Sequence, residues 1–310
     1  MIFSFQTSIA EARRNVAHLR GDGLKRSTGD IWSIKKLLLL DYYLPSFKLI
    51  CSPKYNFKEW YYVDPFCGSG LFDFTDKSLK NEVYAGSALI GAINASKHDY
   101  TNCILSDTNK ENIDALNRRI GASGIQLNSR TYQAQERGFE DTVNMVLRTK
   151  RFGMAMLIFV DPDGYVPIKW QLMERLVKEV GIDVIFNFMT YTIALNASAS
   201  KTNHTHEKNL NEFFGDVMWK QHLTTMNKNN LGSKLLLYYI SKIQIASGKN
   251  VIPIGVHREK GKKLYDLLVI TRSGAGTKVI QTAKKIMDKA TTESIHREFK
   301  VQSGIQKTLF

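Results

Sequence analysis

Cysteine is scarce in this sequence. The three present, Cys51, Cys67 and Cys103, are odd in number, widely spaced and without a CxxC pair, which excludes a disulfide framework and a zinc cluster. They read as reduced, mostly buried thiols. Proline is also rare, six residues in 310, and no Pro- or Gly-rich linker or repeat interrupts the chain, so one continuous fold is expected. The longest apolar stretches, Leu37–Leu40 and Met154–Val160, fall far short of the roughly 20 residues that a membrane span needs. The start, Met1 to Gln6, turns polar at Glu11–Arg14 without the charged-then-apolar order of a secretory leader, and a cytoplasmic protein is expected. Acid is the last shortage. Against 43 Lys and Arg there are 29 Asp and Glu, a net charge of +14, which favours polyanionic partners, nucleic acid foremost, over acidic-surfaced ones.

What is present is enough apolar residue, 43%, for a large core. Residues 1–30 read as a helix and a mobile turn. From Ile31 to Phe47 a helical spacing puts Ile34, Leu37, Leu38, Tyr42 and Leu44 on one side and Lys35, Lys36 and Asp41 elsewhere, with Pro45 bending or ending the helix. The period then changes: Trp60–Val63, Cys103–Asp107, a weaker stretch at Thr131–Gln133, Met154–Val160 and Asp183–Phe188 read as strands, separated by helical segments. Residues 73–86 and the polar stretch 192–209 read as loops. Val251–Val256 and Tyr265–Thr271 flank a basic turn, Arg258 to Lys263, too short for a parallel crossover, so they form an antiparallel pair. The prediction is α/β: a doubly wound, mostly parallel seven-stranded sheet with an antiparallel final strand. Residues 1–58 form an N-terminal helical extension, 59–290 the sheet domain and 291–310 a basic tail.

The chemistry gathers at strand ends. Asp64-Pro65-Phe66-Cys67-Gly68-Ser69-Gly70 opens a buried strand into a glycine turn, and the next strand ends in Asp107. In a doubly wound sheet that edge is where glycines admit a ligand and a carboxylate can accept both hydroxyls of a ribose, so a nucleoside-bearing cofactor fits. The pattern is neither GxGxxG nor a P-loop. Asp107 could instead cap the following helix, and Asp161-Pro162-Asp163-Gly164-Tyr165 is by itself a sound turn sequence. Asn187 and Phe188, at the end of the fifth strand, either line an acceptor pocket or simply start a turn. His204, His206 and Glu207 lack a second ligand cluster and read as a solvated loop. Cys67 reads as packing.

The heptapeptide from Asp64 to Gly70 resembles the first motif of class I S-adenosylmethionine-dependent methyltransferases, above all the nucleic-acid amino-methyltransferases with DPFxGSG. The resemblance implies a cofactor set of Asp64, Phe66, Gly68, Gly70 and Asp107, with the glycines at the methionine part, Asp64 at its amino end and Asp107 on the ribose. It also implies a reversed hairpin for the last two strands. Over residues 31–290 the order of Gly86-Ser87-Ala88, Ser106-Asp107, Val160 to Gly164 and Tyr265 to Val269 is similar to the three-Cys-motif partner family, whose members are inferred to partner a cysteine-motif protein. By the likeness to the amino-methyltransferases Asp161 orients an exocyclic amine and Tyr165 stacks on its base, with Asp163 beside them where three-Cys-motif relatives carry an aromatic residue. The expected function is S-adenosylmethionine-dependent methylation of RNA or DNA. The alternative is a catalytically silent methyltransferase-like protein that docks a protein or nucleic acid. A nuclease holding magnesium on Asp161 and Asp163 is a third possibility.

Overall fold

The computed structural model describes residues 4–302 apart from 56, 81, 128–129, 132, 225–229, 259–262 and 273. The chain opens with α1 (Phe5–Val16), β1 (Ser27–Gly29) and α2 (Ser33–Tyr55), then β2 (Glu59–Asp64), β3 (Leu71–Phe74), β4 (Val83–Ala85), α3 (Ser87–Lys97), β5 (Asn102–Asp107) and α4 (Lys110–Ala122). The short β6 (Gln126–Leu127), β7 (Arg130–Thr131) and β8 (Gln135–Glu136) follow, then α5 (Phe139–Thr149), β9 (Met154–Val160), α6 (Trp170–Lys178) and β10 (Ile182–Phe188). Last come α7 (Thr190–Ala199), α8 (His204–Phe214), α9 (Leu231–Ser247), β11 (Asn250–His257), β12 (Lys263–Thr271), α10 (Gly274–Lys289) and α11 (Thr292–Gln302).

Seven strands form one sheet in the order β11-β12-β10-β9-β2-β5-β8. Only β12 runs against its neighbours, pairing antiparallel with both β10 and β11. The doubly wound sheet and its reversed hairpin are thus as the sequence predicts. Strand alternation sorts the core into two layers. In β9, Ala155, Leu157 and Phe159 face the layer of α2, α3, α4 and α10, whereas Met154, Met156, Ile158 and Val160 face that of α5 to α9. All seven β9 residues are buried, which is why this strand reads as an unbroken apolar run.

Several local readings need correction. Helix α2 runs on through Pro45 to Tyr55: its four leucines at 37–40 are all buried between α3 and α10, and that packing outweighs the hydrogen bond that proline forfeits. Residues 73–86 are not a plain loop, since β3 and β4 join β1 in a separate three-stranded sheet. The edge strand is β8, a few residues later than expected, and residue 132 of the expected strand lies outside the described residues. The polar stretch 192–209 holds most of α7 and the start of α8, because Asn203 caps α8 by accepting from the backbone N–H groups of Thr205 and His206. His204 and His206 therefore sit in a helical first turn. Much of the expected tail is α11, whose buried Phe299 packs edge-on to Phe74 with the Arg13 guanidinium 4.9 Å above its ring. No helix among the described residues is long and apolar enough to cross a membrane.

Candidate functional site

The carboxyl ends of β2, β5 and β9 open into one cavity of about 510 Å³. Its wall includes the Gly68–Gly70 turn, Phe66, Asp107, Asp161 and Asp163, so three separate stretches expected from the sequence converge. The turn needs its glycines. Gly68 and Gly70 both take positive φ, +57° and +84°, which side chains with a Cβ rarely adopt. At Gly70 a Cβ would also lie 2.7 Å from Leu116 and 3.1 Å from Leu89. The turn is pinned from three sides: Cys67 N–H donates to Ser106 O (3.0 Å), Gly86 N–H to Gly70 O (2.7 Å), and Gly68 N–H to Asp107 Oδ2 (3.1 Å).

That last bond puts Asp107 against the glycine turn. Its Oδ1 accepts from Asn109 N–H (2.8 Å) and the Asn112 amide (3.3 Å), while Asn109 itself caps α4. The capping role that competes for Asp107 in the sequence is therefore filled by another residue, and Asp107 lines the cavity with acceptor capacity left on Oδ2. Phe66 lies at the wall and stacks on Phe139 at 5.5 Å.

Asp64 does not reach the wall. It is fully buried behind the turn, where it accepts from the Tyr62 hydroxyl (3.0 Å) and Phe66 N–H (3.1 Å). Loss of solvation raises its carboxyl to about 7 despite those donors. A contact with the cofactor's amino end is thus outside its reach, and its place is beneath the loop. Tyr165 also departs from expectation. It is buried in the opposite layer, edge-on to Phe213 at 5.4 Å and accepting from the Asn196 amide at 3.2 Å, and does not line the cavity. The bends after Asp161 turn its ring inward to the core. Cys67 is buried and its thiol is pushed up by burial, in keeping with packing.

Two features escape sequence reasoning. Lys36, read as one more polar face of a helix, lines the cavity with its Nζ 2.6 Å from Asp161 Oδ2. Asn187 donates to the other oxygen of Asp161 at 2.8 Å, so the carboxylate is held from both sides. The second is the cover: Ser27, Thr28 and Gly29 of β1 form part of the wall. They are placed by the parallel pairing of β1 with β3 and by Arg119, a fully buried guanidinium on α4. Arg119 takes Asp22 in a fork (2.7 and 3.2 Å) and donates to Lys25 O, Leu24 O and Ser69 O, joining the incoming segment to the glycine turn. The spacing of a fork to a distant aspartate leaves no trace in sequence.

No family model and no curated protein matches the chain. Among solved structures it is similar to a Legionella pneumophila protein of the DUF519 family, at 10% identity over 80% of this chain and 90% of that one, TM-score 0.47. It is also similar to the methyltransferase domain of a bacterial Hen1 protein (10% identity, 75% and 99% covered, TM-score 0.38). A Klebsiella pneumoniae protein assigned as an O-methyltransferase gives 9% identity, 86% and 100% covered, TM-score 0.38. Likeness this distant carries nothing about chemistry, which rests on the chain's own residues.

Proposed function

We propose that the chain is an S-adenosylmethionine-dependent methyltransferase acting on an amino group of a nucleic acid. The observation that carries this is the convergence of the glycine turn, Asp107 and Asp161 on one cavity at the ends of three adjacent parallel strands. The residues fit the cofactor. A volume of about 510 Å³ is ordinary for a small-molecule site. Asp107 retains acceptor capacity for ribose hydroxyls, the Gly68–Gly70 backbone admits close approach, and Phe66 offers a ring face. When bound, S-adenosylmethionine supplies an electrophilic methyl group on a sulfonium sulfur.

The protein's part is positioning. Asp161, fixed by Lys36 and Asn187, accepts a hydrogen bond from the amine through a remaining lone pair and so aims the nitrogen into the cavity. Methylation would leave the amine with a spare proton, and Asp161, already in hydrogen-bond reach of that nitrogen, would take it on an oxygen and pass it to water. Lys36, 2.6 Å from Oδ2, holds the carboxylate in place. The net charge of +14 and the motif's resemblance to amino-methyltransferases favour a nucleic-acid amine as the acceptor.

Two observations favour the second reading, a silent partner that binds the cofactor and docks a cysteine-motif protein: both Asp161 oxygens are already engaged, and Tyr165 is unavailable for stacking. Incubation with methyl-labelled cofactor and total RNA, DNA or cell extract separates the two. The enzyme reading expects label in nucleic acid from the wild type and a loss of at least about 100-fold in Asp161→Asn, with cofactor affinity retained. Cofactor binding without label in any fraction establishes the silent partner instead. A wild type that binds neither S-adenosylmethionine nor its demethylated product overturns both.

A further inference from the structure

Beyond α2 from the Lys36–Asp161 pair lies a second cavity, of about 490 Å³, at the carboxyl end of β11. Lys35, Lys263, Lys284 and His257 line it, together with Asp266, Asp288 and the strand segment from Pro253 to Val256. One pair of charges cancels within it. Lys263 Nζ is 2.8 Å from Asp266 Oδ1, and the Thr190 hydroxyl donates to Asp266 Oδ2. Lys35 and Lys284 have no carboxylate at ion-pairing distance among the described residues; Asp288 and Glu293 act on Lys35 only from farther away. An ammonium drawn partly out of water without a counter-ion is costly, and burial already disfavours the charged form of Lys35. An incoming anion would relieve that cost.

The geometry relates this cavity to the first. Lys35 and Lys36 are consecutive on one helix and point roughly 100° apart, so the first turn of α2 divides the two cavities and sends one ammonium into each. At the same end Arg258 lies 5.0 Å over the ring of Trp32, and the Tyr265 hydroxyl donates to Trp32 O at 3.1 Å. A cation on an aromatic face suits a strand of stacked bases and phosphates.

We infer that the second cavity is a phosphate subsite of the acceptor, in which Lys35 and Lys284 clamp a phosphodiester of a nucleic acid whose adjoining nucleotide enters at Asp161. The inference rests on reading the Asp161 cavity as the site of methyl transfer. Phosphate suits two ammonium groups because its tetrahedral oxygens accept from several directions, and lysine binds it as a point charge without needing a planar fork. Pro253 to Val256 give the cavity an apolar wall against which the sugar would lie.

The test uses the full-length chain with Lys35→Gln/Lys284→Gln, and Lys80→Gln/Lys278→Gln as an equal loss of charge at exposed positions outside both cavities. Anisotropy of labelled single-stranded RNA and DNA oligonucleotides is followed over a salt series, with a 5′-mononucleotide as a further ligand and calorimetry with S-adenosylhomocysteine beside it. The cavity variant should bind oligonucleotide at least about 10-fold more weakly, with a log–log salt slope shallower by about 0.7 for the phosphate released, while cofactor affinity stays unchanged. The control variant should shift less than about 3-fold. Equal losses in the two variants, or none in the cavity variant, overturn the inference. Binding of the mononucleotide as tight as that of the oligonucleotide overturns the assignment to a polymer. If the wild type fails to bind the cofactor but its oligonucleotide affinity still depends on Lys35 and Lys284, the phosphate subsite stands and the methyl-transfer reading fails.

Discussion

Asp64 and Asp107 end neighbouring parallel strands and meet opposite fates, decided by which side of the glycine turn each carboxyl occupies. Asp64 is sealed behind it. Because burial raises its folded-state carboxyl to about 7, above the unfolded value of 3.8, the folded protein keeps a proton that the unfolded chain gives up. Its contribution to stability is therefore fully present below about pH 4 and is lost as pH rises through 7. Asp64→Asn removes this slope: urea denaturation from pH 4 to 8 should show the variant gaining on the wild type across that window, and parallel curves would refute the buried-acid reading. Asp107 instead faces the cavity. Loss of its charged hydrogen bonds in Asp107→Ala should weaken S-adenosylhomocysteine about 10- to 100-fold by calorimetry. Asp107 was legible in the sequence because a strand end followed by a helix has few places to put a carboxylate. Tyr165 and Lys36 were not legible. The bends after Asp161 decide which way a ring faces, and a lysine on a helix reads as solvated until its partner is seen.

At the level of elements, long apolar strands such as β9 and β10 declare themselves because both faces are covered. The strands β1, β3 and β4 do not. They are three or four residues each, β1 is separated from β3 by the whole of α2 and β2, and their pairing is set by neighbours brought together only in the fold. Yet this small sheet supplies part of the cavity wall, and Arg119 fastens the segment before it to the glycine turn. Arg119→Met leaves Asp22 half-buried without its fork and releases three carbonyl oxygens. It should cost about 3–5 kcal/mol of stability. Hydrogen exchange over residues 22–29 should speed up well before that of β9, and cofactor affinity should fall with it. If exchange rises uniformly instead, Arg119 is only a core residue. Gly70→Ala acts on the other face of the same junction, meeting Leu116 and Leu89 in a backbone conformation that alanine disfavours.

For the molecule as a whole, the question is whether the N-terminal extension is a separable appendage or part of one cooperative unit. Its residues share a continuous apolar cluster with the sheet: Ile9, Val16, Leu37 to Leu40, Tyr43 and Phe47 lie with Tyr62, Leu157, Ile185 and Val269. The Tyr43 hydroxyl also donates at 2.8 Å to Asp183 on β10, a carboxyl raised by its burial. Removing the extension would uncover one face of the sheet, where continuous apolar surface leads to association rather than a soluble monomer. It would also delete Lys36 and the β1 wall of the cavity. The full chain should accordingly unfold in urea in a single transition shared by far-ultraviolet dichroism and tryptophan fluorescence. A fragment of residues 59–310 should unfold without cooperativity and bind S-adenosylhomocysteine at least about 100-fold more weakly, having lost a wall and a packed face together. A fragment that keeps a sharp transition and full-chain affinity would make the extension an appendage. Lys36 would then act on Asp161 from outside a complete cofactor site, and the influence of α2 would be confined to the acceptor.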